Sequence, residues 1–202
     1  MTQQAEKGSP RERYRDLLRR SILDAAREAF VQDGYEGVSM RKLAERIGCS
    51  HANLYLHFKD KEALFECLVE ESFAQLADAL GKLIQSARTG DPVKLVRRAG
   101  RAYVEFGVAN PSVYEFAFLM RRPGNGQPRK PSEAYERLRS LVARCMEEKR
   151  FRRMDADAAS QAIWAAVHGI TSLLILRPDF PWADRDKVIA QVIDAAVDGL
   201  LA

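Results

Sequence analysis

The chain has 202 residues, 47% of them hydrophobic and 30% charged, a composition that excludes a disordered, fibrous or disulfide-scaffold protein. That length fits one large domain or two small ones, with roughly 70% of the unfolded surface removed from water on folding. The net charge of +4 suggests a polyanionic partner without establishing one.

Residues 1–10 read as a flexible polar tail ending in Gly8-Ser9-Pro10. They contain no apolar stretch of the kind that marks a signal peptide. No run of about 18 apolar residues is evident, so the expected location is cytoplasmic, with no membrane partner. Cys49, Cys67 and Cys145 are odd in number and lie far apart, a pattern against a disulfide frame or a zinc site. No cofactor or metal is expected.

Helical spacing recurs almost throughout, and strand-like alternation is missing, so the fold class is all-α with about nine helices. The first helix runs to about Gln32, with Gly34 as its C-terminal stop and an apolar stripe of Leu18, Ile22, Ala25, Ala26, Ala29 and Phe30. A second, capped by Ser39, carries Met40, Leu43, Ala44 and Ile47 and ends at Gly48. Ser50 caps a short third helix over 51–57, and Asp60 a long fourth from Lys61 toward Ile84. Asp91-Pro92 opens a fifth reaching Asn110, and Pro111 a sixth through Met120. The proline- and glycine-rich tract 121–131 reads as a mobile surface loop, and three helices follow at about 132–149, 156–176 and 185–201. These divide into the tail, a domain over 11–60 and a domain over 61–202.

Two short amphipathic helices joined by Gly48-Cys49-Ser50 and supported by a preceding helix form a helix-turn-helix, whose second helix suits a DNA major groove. The spacing turns His51, Asn53, Tyr55 and His57 outward, with Leu54 and Phe58 inward.

The stretch Ile22-Leu-Asp-Ala-Ala-Arg-Glu-Ala-Phe30, followed by Gly34-Tyr35, Ser39-Met-Arg-Lys-Leu-Ala44, Gly48-Cys-Ser50, Leu54-Tyr55, His57-Phe58, Lys61-Glu62 and Leu64, resembles the DNA-binding signature of the tetracycline-repressor (TetR) family of bacterial transcription regulators. Val38, where threonine is common, and Ala52, where glycine is frequent, depart from it. Physics and resemblance together make Arg41, His51, Ala52 and Asn53 the candidates for reading base edges. Ser39, Ser50, Tyr55, His57 and Lys61 are the candidates for phosphate contact. Tyr55 equally suits a half-buried packing role, and His51 and His57 a solvated surface. The basic run Arg11, Arg13, Arg15, Arg19, Arg20 reads either as a DNA-contacting arm or, more simply, as a solvated face interleaved with Glu12 and Asp16.

The second half resembles the regulatory domains of one TetR subgroup through Tyr103-Val-Glu-Phe106, Asn110-Pro111, Tyr114 and Trp164-Ala-Ala-Val-His168-Gly169. The resemblance implies a cavity for an unknown small-molecule effector, with Tyr103, Phe106, Tyr114, Phe118, Trp164 and His168 as candidate lining; ordinary core packing explains most of them as well. It also implies a homodimer, with Ile163 and Ile170 of the penultimate helix and Val188, Ile189, Val192, Ile193, Ala196, Val197 and Leu200 of the last as candidate interface. The function expected is a ligand-responsive repressor that binds a near-palindromic double-stranded DNA operator. A helical protein-interaction adaptor and a small-molecule enzyme centred on His168 are the alternatives, the latter without any catalytic motif, so that the protein is not expected to be an enzyme. The charge excess lies in 121–153, at +7, and not in the helix-turn-helix.

Overall fold

The computed structural model describes residues 9–86, 90–120 and 131–202. These form nine α-helices: α1 (Pro10–Gly37), α2 (Met40–Ile47), α3 (His51–His57), α4 (Lys61–Ser86), α5 (Pro92–Ala109), α6 (Pro111–Tyr114), α7 (Glu133–Glu147), α8 (Ala156–Leu176) and α9 (Arg185–Asp198). A π-helical turn, Glu115–Leu119, follows α6. The fold is all-α, as expected; the proline-rich tract, apart from Pro131, lies outside the described residues, as does most of the expected tail.

Local chemistry sets the helix starts. Ser9, Ser39, Ser50, Asp91, Ser132, Asp155 and Asp184 each accept a backbone N–H of the first turn. At Ser9 the box is closed by Glu12, which accepts from the Ser9 N–H at 2.7 Å. Gly34, at φ 70°, breaks the helical path of α1 where its stop is expected.

Two compact units result: Met1–Glu70 with Glu115–Asn125, and Glu71–Tyr114 with Gly126–Ala202, so α4 contributes to both. In the first unit Ile22, Ala26 and Phe30 of α1, Leu43 of α2, Leu54 of α3 and Leu64, Phe65 and Leu68 of α4 are buried together with Phe116. The Phe65 and Phe116 rings lie 4.5 Å apart and Phe30 meets Phe65 edge-on at 5.3 Å. Phe116 reaches this core from the π-helical turn, which replaces most of the single α-helix expected over 111–120; the wider turn adds a residue per cycle and so re-aims the aromatic.

In the second unit α5 packs against α7, α8 and α9. Gly107 lets α5 approach: a Cβ there would collide with Thr171 and come within 2.8 Å of the Tyr114 ring. Ion pairs from Arg97 to Asp194 and Asp198, and from Arg101 to Asp186 at 2.6 Å, tie α5 to α9. The last helix ends at Asp198, short of the expected 201, because Leu201 leaves it to bridge Phe151, with the Arg152 N–H donating to Leu200 O at 2.9 Å.

Helix α8 corrects one expectation. By length and composition it is apolar enough to cross a membrane, where the sequence reading expects no such run. Its Ile163, Val167, Ile170 and Leu174 are buried in the unit, as in the core helix of a folded domain.

Gly107→Ala is expected to lower the stability of the second unit by about 1–3 kcal/mol through overpacking against Thr171 and Tyr114. Urea unfolding monitored by circular dichroism checks this, and an unchanged midpoint would refute the close approach.

Candidate nucleic-acid interface and aromatic cluster

Helix α2 ends where Gly48, at φ 74°, turns left-handed and donates its N–H back to α2. Two residues later Ser50 caps α3, its Oγ accepting from the Asn53 N–H at 3.2 Å. Leu54 is fully buried and Phe58 nearly so, and these two fix which face of α3 looks outward.

That face carries exposed His51, Ala52, Tyr55 and Leu56, flanked by half-buried Asn53 and His57. The His51 and Tyr55 rings meet edge-on at 4.8 Å, which orders both. Leu56, 82% exposed, is not among the expected contacts. Its position four residues after Ala52 places it on the same face, and an exposed leucine suits the thymine methyl group.

Among the other expected contacts, Ser39 and Ser50 are exposed at the caps of α2 and α3. Each accepts a backbone N–H there, and the hydroxyl proton is available to an external acceptor. Arg41 is exposed and pairs with Glu45 at 3.1 Å. Lys61 donates from Nζ to the Tyr35 carbonyl at 2.9 Å and lies 4.1 Å from the centre of the Tyr35 ring, so its charge also secures the end of α1. Val38 is buried and serves packing. The His57 pKa is pushed down by burial and then by the charges of Arg15 and Arg19 on α1.

The second unit brings four of the expected pocket residues together. Tyr114 Oη lies 2.5 Å from His168 Nδ1, Tyr103 Oη 3.3 Å from both, and Trp164 Nε1 donates to Tyr103 Oη at 3.3 Å. Desolvation raises the pKa of both phenols and lowers that of His168, so phenols and imidazole stay neutral near pH 7. Tyr135, outside the expected set, extends the cluster: its ring is 6.2 Å from Trp164, and its hydroxyl donates to Asp157 at 3.4 Å. Phe106 is half-buried in the last turn of α5, and Phe118 falls in the first unit. Among the described residues no group of three or more His, Cys, Asp or Glu could hold a metal ion.

Six expected interface residues, Ile163, Ile170, Ile189, Ile193, Val197 and Leu200, are buried within their own unit. An apolar stripe shows periodicity but not which neighbour covers it. Exposed on α8 are Ala158, Gln161, Ala162, Trp164, Ala165, Leu173 and Leu176, while Val188, Val192 and Ala196 on α9 are half-buried.

A capped pair of short helices with an outward polar face defines a helix-turn-helix protein. Residues 22–68 match the profile of bacterial regulatory proteins of the tetR family, and 96–200, more than half of the chain, match the tetracyclin repressor-like C-terminal domain. The chain belongs to the TetR family.

It is 41% identical over 66 residues to the HTH-type transcriptional repressor AcnR of Corynebacterium diphtheriae, a match spanning 33% of this chain and 35% of that protein. It is 26% identical over 159 residues to the uncharacterized HTH-type transcriptional regulator YobS of Bacillus subtilis, spanning 78% of this chain and 79% of that one. The crystal structure of the TetR family transcriptional regulator PfmR from Thermus thermophilus superposes with a TM-score of 0.67 at 25% identity, covering 90% of this chain and 99% of the other.

Because His168 and His57 titrate below the usual histidine value of 6.5 in the folded state, the unfolded chain takes up protons first. Stability is therefore complete above about pH 6.5 and falls as acid is added below it. Urea unfolding at about pH 7.5 and about pH 5.5 should show that loss, and His168→Gln should reduce the difference between the two pH values. An unchanged difference would place His168 outside the titrating set.

Proposed function

We propose that this protein is a dimeric, effector-responsive repressor that binds a near-palindromic DNA operator through α3. The observation that carries the reading is the division of labour on that helix. Leu54 and Phe58 are buried, while His51, Ala52, Tyr55 and Leu56 are exposed beside Asn53. Asn53 suits adenine, Leu56 suits the thymine methyl, and Arg41 suits guanine; Ser39, Ser50, Tyr55, His57 and Lys61 are the candidates for phosphate contacts that fix the register. That AcnR is named a transcriptional repressor supports the direction of regulation.

A twofold mate covers the exposed stripe of α8 and the half-buried line of α9, where small residues allow close helix approach. The effector engages the Tyr103, Tyr114, Trp164 and His168 cluster, which offers aromatic surface and a few convergent polar atoms. Tyr114 belongs to this cluster, and Phe116, two residues on, to the aromatic core of the first unit. An effector that displaces Tyr114 therefore pulls on the segment that carries Phe116, and a coupling of about 1–3 kcal/mol lowers operator affinity.

Selection from a library of randomised duplexes should return a near-palindrome, and failure to enrich any sequence would overturn the reading. Asn53→Ala should cost about 1–3 kcal/mol on that duplex and relax preference at one position in each half-site. Equal loss on specific and random DNA would remove Asn53 from the reading set. Ala165→Glu, which places charge on the open face of α8, should yield a monomer in sedimentation velocity; an intact dimer would exclude this face.

A further inference from the structure

Helix α1 begins earlier than its packing requires. Its first buried residue is Ile22, while positions 10–17 are all exposed. Those two turns are nevertheless held in helical form by Pro10 at the first position and by the capping box of Ser9 and Glu12. An exposed, individually capped extension contributes little to a core and is suited to contact something outside it.

Its chemistry is set by a row at four-residue spacing, Arg11, Arg15 and Arg19, which share one face. The structure anchors the inner end of that row. The Arg19 guanidinium lies 5.0 Å from the centre of the Phe58 ring, and its Nη2 donates to Cys67 Sγ at 3.0 Å. Phe58 is the residue that ends α3. Arg15, one turn further out, is near enough to His57 to act on its titration, as is Asp16 in the opposite sense. Arg11 and Arg15 make no hydrogen bond or ion pair to a described side chain. Glu12, which accepts from the Ser9 N–H, also feels the charge of Arg15, so it offsets the row only in part.

The row thus starts at the C-terminal end of the recognition helix and runs outward about 12 Å to Arg11, given 1.5 Å per residue. We propose that Arg11 and Arg15 extend the DNA contact onto backbone phosphates flanking the bases that α3 reads, an inference that rests on the regulator reading above. Guanidinium groups spaced along a rigid rod match a run of phosphates, and such contacts add affinity and salt dependence with no base preference.

The probe is the duplex enriched from the randomised library by the unaltered protein. Titrated by fluorescence anisotropy across a salt series, the double variant Arg11→Ala/Arg15→Ala should bind with a log–log salt slope reduced by about 0.9 for each phosphate no longer neutralised. Hydroxyl-radical protection should recede at the outer edges of the footprint, with the base preference unchanged. Arg11→Lys/Arg15→Lys should keep most of the slope, and Arg153→Ala, an exposed arginine of the second unit, all of it. A double variant with the slope and footprint of the unaltered protein overturns the inference and leaves the regulator reading standing. An equal reduction in slope from Arg153→Ala overturns it in favour of a general charge effect. Failure of the unaltered protein to enrich any duplex overturns the regulator reading, and this inference with it.

Discussion

A helix of seven residues does not hold itself together in water, because the nucleation cost exceeds what two turns of backbone bonding return. The integrity of α3 therefore depends on burial from one side: Leu54 at no exposure and Phe58 at 5% sink into the first unit. Much else in that unit serves this one contact. Ser50 supplies the start, Gly48 the left-handed corner, Leu43 and Ala44 of α2 the near wall, and Leu64 and Leu68 of α4 the far core. Arg19, lying over the Phe58 ring, closes the end where α3 stops being helical.

The second unit is built around the opposite problem, polar atoms taken out of water. Two buried phenols and a half-buried imidazole would each be costly there alone, and the exposed Trp164 borders them. They satisfy one another, and neutrality lets them do so without a buried charge. A ligand entering such a cluster must replace hydrogen bonds that already exist, so its own polar groups decide whether it binds. This favours selectivity over raw affinity.

Elements whose cause is local were legible in the sequence. The serine and aspartate caps, Pro92, Gly34 and Gly48 act within a turn of where they stand, and helix starts and the helix-turn-helix corner followed from them. Leu54 and Phe58 were also readable as inward, since i, i+4 spacing fixes a shared face. Features with distant causes were not. Ile163, Ile170, Ile189, Ile193, Val197 and Leu200 form apolar lines that suit a mate as well as they suit α5, and only assembly shows that the same unit covers them. The π-helical turn has no residue signal of its own; it answers the need to bury Phe116 beside Phe65. Lys61 carries the pattern of a phosphate contact, but its bond to the Tyr35 carbonyl depends on where α1 ends. Leu56 went unread although its place four residues after Ala52 sets it on the same exposed face.

The exposed face of α3 has a consequence for how such a protein changes over generations. His51, Ala52, Tyr55 and Leu56 contribute little to the core, whereas Leu54, Phe58 and Gly48 are constrained by packing or by backbone conformation. Surface substitutions of the first kind usually shift stability by less than about 0.5 kcal/mol. Substitution on that face is therefore expected to cost little in folding, while change at Leu54, Phe58 or Gly48 disturbs packing or backbone conformation. Recognition and foldedness are in this sense nearly independent traits, carried on alternate positions of the same two turns.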